Sequence, residues 1–198
     1  MAGRPLHALL LPPAAGAGRL LDALAAALDG SGPAILPLDP GLPPARVADL
    51  LNAFTPATVE TPDGEKRWRP DDSRPAVPGA GADLPDDTAV VIATSGSTGE
   101  PKGAQLSAGA LLASARASLD RIGARPGARW LCPLPTSHIA GLGVLVRSLV
   151  SGTAPVVVDR LDPAQRDLAA FGCGYVSLVP AQLRRMLDAG AGLPAFGA

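Results

Sequence analysis

Lysine is scarce in this 198-residue chain, where Lys66 and Lys102 stand against 15 arginines. Histidine and cysteine are as rare, with two of each, and aromatic residues make up only 3%. Alanine, glycine and proline fill the space instead, with 37, 23 and 22 copies. Such an excess follows a coding bias toward GC-rich codons, so a single alanine or arginine says little and the rare types carry the information. Each scarcity excludes something. With a net charge of −1 and no basic run, the chain lacks the clustered cations that neutralise a nucleic-acid backbone. No apolar stretch reaches the roughly 18 residues that span a bilayer. Cys132 and Cys173 have neither CxxC spacing nor a nearby histidine, so they make no disulfide framework and no zinc site. Both read as small buried hydrophobes. Glycine and proline are abundant enough to raise disorder, but 47% hydrophobic content at near-zero charge opposes it. The length suits one domain with a sizeable core.

Arg4, the apolar residues 6–11 and the small residues 14–17 faintly resemble an export signal. Pro12, Pro13 and His7 interrupt that pattern, so a buried first strand over 6–11 and a cytoplasmic protein are the expectation. Leu20, Leu21, Leu24 and Leu28 form a helical stripe that Gly30 ends. A short strand over 34–38 and a helix opened by Pro43 and Pro44 follow. Residues 55–87, rich in Pro and Gly, show no sustained periodicity and read as a surface loop or linker, with Trp68 as an anchor. From 88 onward the pattern is regular. Residues 89–94 are a continuous apolar run, as in a strand buried on both faces. Ser107 is placed to cap a helix bearing Leu111, Leu112, Ala115, Leu119 and Ile122. Strands are expected over 130–134, 154–158 and 175–179, with helices over 139–150, after Asp162-Pro163, and over 180–187. Strands and helices in alternation predict an α/β fold, a doubly wound, mainly parallel sheet with flanking helices.

The chemistry concentrates in Thr94-Ser95-Gly96-Ser97-Thr98-Gly99-Glu100-Pro101-Lys102-Gly103, directly after the most apolar strand. Ser95, Ser97 and Thr98 bring three hydroxyls within four positions. Gly96, Gly99 and Gly103 let the backbone approach a ligand, and successive N–H groups in such a turn make an anion nest. Lys102 adds a mobile point charge suited to phosphate. The Walker A pattern fails, because Lys102 lies between Pro101 and Gly103, and no glycine keeps the G-x-G-x-x-G register. The segment reads as a polyphosphate clamp rather than a flexible Gly/Ser loop.

Thr94 through Gly103 resembles, unbroken over ten residues, the phosphate-binding signature of the acyl-adenylate-forming ligases, which include acyl-CoA synthetases, luciferases and peptide-synthetase adenylation domains. Leu134-Pro135-Thr136-Ser137-His138-Ile139-Ala140-Gly141-Leu142 resembles that family's second motif, bordering the acyl pocket. Leu178-Val179-Pro180-Ala181-Gln182-Leu183 resembles its later strand-to-helix stretch. The likeness covers roughly 87–187 and is weak before 55. Three features point further, to the 2-succinylbenzoate-activating branch that serves menaquinone biosynthesis: the run from Pro135 to Leu142, Arg147 nine residues after His138, and Ser177 leading the third motif. The resemblance implies ATP, Mg²⁺ and CoA, a carboxylic-acid substrate, an acyl-adenylate intermediate and then a thioester. It implies that Thr94, Ser95, Gly96, Ser97, Thr98, Gly99, Lys102 and Gly103 bind the nucleotide, that Lys102 and His138 serve catalysis, and that His138, Gly141 and Arg147 line the acid.

Plainer readings stand beside these. His138 could be a helix cap or a core residue, though no second metal ligand lies at helical spacing from it, and no resident metal site is expected. Arg147 could be a solvated helix end; pointing inward, its fork suits the second carboxylate of a dicarboxylate. Gln182 and Arg184 read as helix surface, and His7, Trp68 and Lys66 as structural or solvated. No nucleic-acid or membrane partner is expected, and self-association into a homo-oligomer is left open. The family's adenine-binding segment, acidic Mg²⁺ ligand, ribose-binding Asp, hinge and small C-terminal domain are not found after Leu187. The expectation is an N-terminal part of such an enzyme, divided as 1–54, 55–87 and 88–198, lacking full activity alone. Another acyl or aryl-acid ligase, or a non-catalytic nucleotide-binding remnant, remain the alternatives.

Overall fold

The computed structural model describes residues 3–69, 84–95, 101–162 and 171–190. The chain divides into two units, Met1–Leu111 and Leu112–Ala198, each with its own sheet.

The first unit runs β1 (Leu6–Leu9), α1 (Ala17–Asp29), β2 (Ala34–Pro37), α2 (Pro44–Phe54), β3 (Thr58–Thr61), β4 (Gly64–Arg67), β5 (Thr88–Ser95) and β6 (Pro101–Ser107). The sheet order is β4-β3-β1-β2-β5-β6. β1 pairs parallel with both β2 and β3, and β2 with β5, whereas β3–β4 and β5–β6 are antiparallel. β1 and β2 are wholly buried and, apart from His7, apolar, as strands covered on both faces should be. α2 lays Leu50, Leu51 and Phe54 over Leu6, Ala8, Leu36, Val59 and Val91. Strand alternation turns His7, Leu9 and Ile35 to the opposite face, that of α1, whose buried stripe is Leu20, Leu24 and Ala27. Gly30 ends α1 with φ of 83°, a conformation open to glycine. Arg4 is buried, its guanidinium donating to the carbonyls of Ala27, Gly32 and Thr88.

The division falls inside α3 (Ala108–Arg121), whose first turn is capped as expected: the Ala110 N–H donates to Ser107 Oγ at 3.2 Å. Its buried residues are Leu111, Ala115 and Leu119, while Ile122 beyond its end is exposed. The second unit then runs β7 (Trp130–Cys132), α4 (Ile139–Val150), β8 (Val156–Val157), β9 (Tyr175–Val176) and α5 (Pro180–Asp188). Its sheet is all parallel, in the order β8-β7-β9. Leu131, Leu161, Cys173 and Met186 form its core, joined by Phe171, Val176 and Leu178. Both cysteines are free and buried, and burial raises both thiols above their ordinary value.

Parallel pairs and flanking helices match the expected α/β fold, but the first sheet is mixed. Two antiparallel additions account for this. Within 55–87, read as a loop, β3 and β4 form a hairpin that turns through Pro62-Asp63 into Gly64, φ 118°. β6 lies between the clamp and α3, where no strand was expected. Both β4 and β6 are sheet edges with few apolar residues, so neither carries an apolar alternation. The strands expected over 130–134, 154–158 and 175–179 are shorter than expected. The helix expected after Asp162 falls at 163–170, outside the described residues.

Candidate functional site

The two ends of the expected clamp are adjacent strands. β5 pairs with β6 so that Thr94 faces Lys102 and Ser95 faces Pro101. Gly96, Ser97, Thr98, Gly99 and Glu100 lie outside the described residues, and they join these paired ends. The described ends of the signature thus lie on two antiparallel strands, so β6, not a helix, follows it. Thr94 does not offer its hydroxyl outward: Oγ1 donates to the Lys102 carbonyl at 3.1 Å and ties the strands at the mouth. Lys102 is exposed, on the α1 face beside Thr94. Gly103 points the other way. A Cβ there would stand 2.5 Å from Phe54 Cε1 and 2.8 Å from Val91 Cγ1, so this glycine makes room for a buried ring.

In the second unit, residues 133–138 leave the carboxyl end of β7 and enter α4. His138 is the N-cap residue in extended conformation; its carbonyl accepts the Leu142 N–H at 2.9 Å. Its side chain makes no capping hydrogen bond and is exposed. His138 therefore caps α4 by position and backbone only, and the core reading fails. Gly141 fixes the approach of α4, because a Cβ there would lie 2.3 Å from the Pro135 carbonyl oxygen. Gln182, read as helix surface, is a tie instead. Its Nε2 donates to the Pro133 carbonyl at 2.9 Å while its Oε1 accepts the Val179 N–H at 3.0 Å. A Gln three residues after a helix start was the available signal. The loop and α5 border a cleft of about 410 Å³ lined by Pro133, Pro135, Arg160, Gln182, Arg185 and Met186.

Arg147 is half-buried, not a solvated helix end. Its guanidinium sits 4.6 Å from the centroid of Trp130, which stacks on Tyr175, and its Nη2 donates to Ser177 Oγ at 2.8 Å. Its Nε is buried without a partner, and no carboxylate pairs with it among the described residues. Burial pulls its pKa below the ordinary arginine value. His138 and Arg147 are not brought together. Nine helical residues correspond to about half a turn of rotation and about 13 Å of rise.

The comparisons with known proteins decide the family. A model described as "AMP-binding enzyme" matches residues 57–196. The chain belongs to that AMP-binding enzyme family. Among curated relatives, one of Mycobacterium tuberculosis named "Probable 2-succinylbenzoate--CoA ligase" is 38% identical over 190 residues, covering 92% of this chain and 41% of the relative. The 2-succinylbenzoate–CoA ligase of Escherichia coli is 38% identical over 160 residues, covering 79% of this chain and 35% of the relative. The chain thus spans about two fifths of the length of the AMP-binding relatives it matches. Among solved structures, Bacillus subtilis o-succinylbenzoate CoA synthetase in complex with AMP superposes with a TM-score of 0.74 at 23% identity, over 99% of this chain and 54% of that one. The same enzyme in complex with its acyl-adenylate intermediate gives 0.72 at 25%, over 95% and 52%. A mixed sheet with flanking helices is therefore the AMP-binding fold. No helix among the described residues is long and apolar enough to cross a membrane.

Proposed function

We propose that this chain carries the phosphate clamp and part of the acyl pocket of an AMP-forming acid–CoA ligase whose acid is 2-succinylbenzoate, with MgATP and CoA as cosubstrates. The observation that carries the reading is the unbroken run from Thr94 to Gly103, whose described ends are paired between β5 and β6, with Lys102 opposite Thr94.

The reaction has two steps. A carboxylate oxygen of the acid attacks the α-phosphorus of ATP and pyrophosphate leaves; the CoA thiolate then attacks the acyl carbon and AMP leaves. Charge on the departing pyrophosphate dominates the first step, so fixed donors and cations are what the protein must supply. Ser95, Ser97, Thr98 and Lys102 hold the β- and γ-phosphates, with the backbone at Gly96 and Gly99 close to them. Thr94 and Gly103 shape the hairpin. Arg147, a half-buried cation without a carboxylate among the described residues, takes the second carboxylate of the acid. His138, about half a turn away and exposed, serves the CoA side, and Gly141 positions it. The named relatives support the choice of acid.

Pyrophosphate exchange tests this, measured with the chain supplemented by a polypeptide matching the remaining length of the mycobacterial relative. Exchange should require 2-succinylbenzoate, and Lys102→Ala should lower it about a hundredfold without unfolding the chain. Unchanged exchange in that variant would refute the clamp assignment. A preference for a fatty or benzoic acid would reassign the substrate. ATP binding with no exchange for any acid would leave a nucleotide-binding module.

A further inference from the structure

His7, read from the sequence as structural or solvated, is the centre of a polar cluster on the α1 face of the first sheet. It is buried, and its Nε2 lies 3.2 Å from Glu60 Oε2. A carboxylate only accepts, so Nε2 carries the proton in this arrangement. The Nδ1 atom is hydrogen-bonded to Thr58 Oγ1 and lies 4.0 Å from Glu65 Oε1. Arg19 of α1 donates to both Glu60 oxygens, each at 2.8 Å, through a side chain that is itself 59% exposed. Asp22, one turn further along α1, lines the same cavity of about 290 Å³ with His7, Arg19, Thr58 and Glu65.

We propose that His7, Glu60 and Glu65 form a binding site for a divalent transition-metal ion of the Zn²⁺ class, and that Arg19 stands in the cation's place when the metal is absent. The donor set fits. One imidazole and two carboxylates suit Zn²⁺, and one ligand atom from each lies within 4.8 Å of the others. The spacing fits as well. Two ligands about 2.05 Å from a tetrahedral ion stand about 3.3 Å apart, and the His7–Glu60 pair is already at 3.2 Å. Glu65, half exposed on β4, closes the third position by side-chain rotation. Thr58 can donate or accept, so it can turn to accept from Nδ1–H, the outer hydrogen bond that orients metal-bound histidines. Charge points the same way. Glu60, Glu65 and Asp22 against Arg19 leave two negative carboxylate charges uncompensated beside the imidazole, which a divalent ion balances. The cavity supplies the entry path, and the bound ion would pin the β3–β4 hairpin to β1.

The test is Zn²⁺ titration of the 198-residue chain by calorimetry, with Co²⁺ visible absorption reporting geometry and thermal unfolding reporting stability. One site per chain is expected, with a tetrahedral Co²⁺ spectrum and a Zn²⁺-dependent rise in Tm. Glu65→Gln, at an exposed position, should weaken binding at least about tenfold. Arg19→Gln, its fold checked by circular dichroism, should tighten it, because the competing cation is gone; a purely structural ion pair would lose stability there with no rescue by metal. The site is overturned if neither the natural chain nor Arg19→Gln responds to Zn²⁺. Affinity unchanged in Glu65→Gln, or abolished instead by His138→Ala, overturns it equally.

Discussion

Glu60 and Gly141 show how single positions in this chain carry unequal weight. Arg19's hydrogen bonds, opposed by burial and aided by His7, hold the Glu60 carboxyl below its ordinary 4.5. The ion pair therefore contributes fully above pH 4.5, where the unfolded chain is also ionised, and the contribution fades as pH falls through the folded value. Arg19→Gln, in metal-free buffer, should cost about 1 kcal/mol at neutral pH, since one partner is exposed. The two proteins should converge in stability as pH falls below the ordinary carboxyl value, as urea unfolding across pH would show; a constant gap would deny the linkage. Gly141 and Gly143 make a second comparison, two residues apart on α4. Alanine at 141 meets the backbone oxygen of Pro135 and should destabilise by about 1–3 kcal/mol. Alanine at 143 meets nothing closer than the Arg147 guanidinium at 3.6 Å and should gain up to about 1 kcal/mol from helix propensity. Equal effects in chemical denaturation would mean that the Pro135 contact does not set the docking of α4.

Among the elements, β6 connects the proposed clamp to the core. Lys102 and Gly103 are neighbours that face opposite sides of the sheet, one toward the hairpin mouth and one toward Phe54. Gly103→Ala should therefore destabilise the chain by about 1–3 kcal/mol with no nucleotide present, because Phe54 is 1% exposed and has no room to retreat. Phe54→Leu should couple to it, the double variant being more stable than the two separate losses would add to. Normal stability of Gly103→Ala without ligand would return the residue to the nucleotide site. This element also marks the limit of what could be read in advance. α1, α2, β5 and α4 announced themselves because each buries a stripe or a full run of apolar residues. β4 and β6 did not: an edge strand keeps one side in water, and the sequence of β4, Gly-Glu-Lys-Arg, is exposed at every position. The candidate site divides along the same line. The run from Thr94 to Gly103 is local and contains one of two lysines, so it stood out. The ties made by Gln182 to Pro133 and by His7 to Glu60 join residues far apart in sequence, and only the folded sheet places them together.

On the scale of the whole molecule, two units with separate sheets turn ligand binding into a stability question that can be assigned to one of them. The paired strands that flank the proposed clamp belong to Met1–Leu111. A ligand that binds only the folded form adds RT ln(1 + [L]/Kd), about 2.7 kcal/mol at a hundredfold excess over Kd. For a chain of this size each kcal/mol is worth about 2–4 °C in Tm. MgATP should therefore raise, by about 5–10 °C, the transition that melts the first unit, followed by calorimetric scanning at several nucleotide concentrations. Lys102→Ala should leave the ligand-free transition in place, because the side chain is exposed, and should remove most of the shift. Gly103→Ala should do the reverse, lowering the ligand-free transition while keeping the increment at saturating MgATP. The two variants sit one residue apart, so opposite outcomes would separate the binding of phosphate from the packing of the strand that presents it. A Lys102→Ala chain shifted by MgATP as much as the natural one would mean that phosphate is held elsewhere.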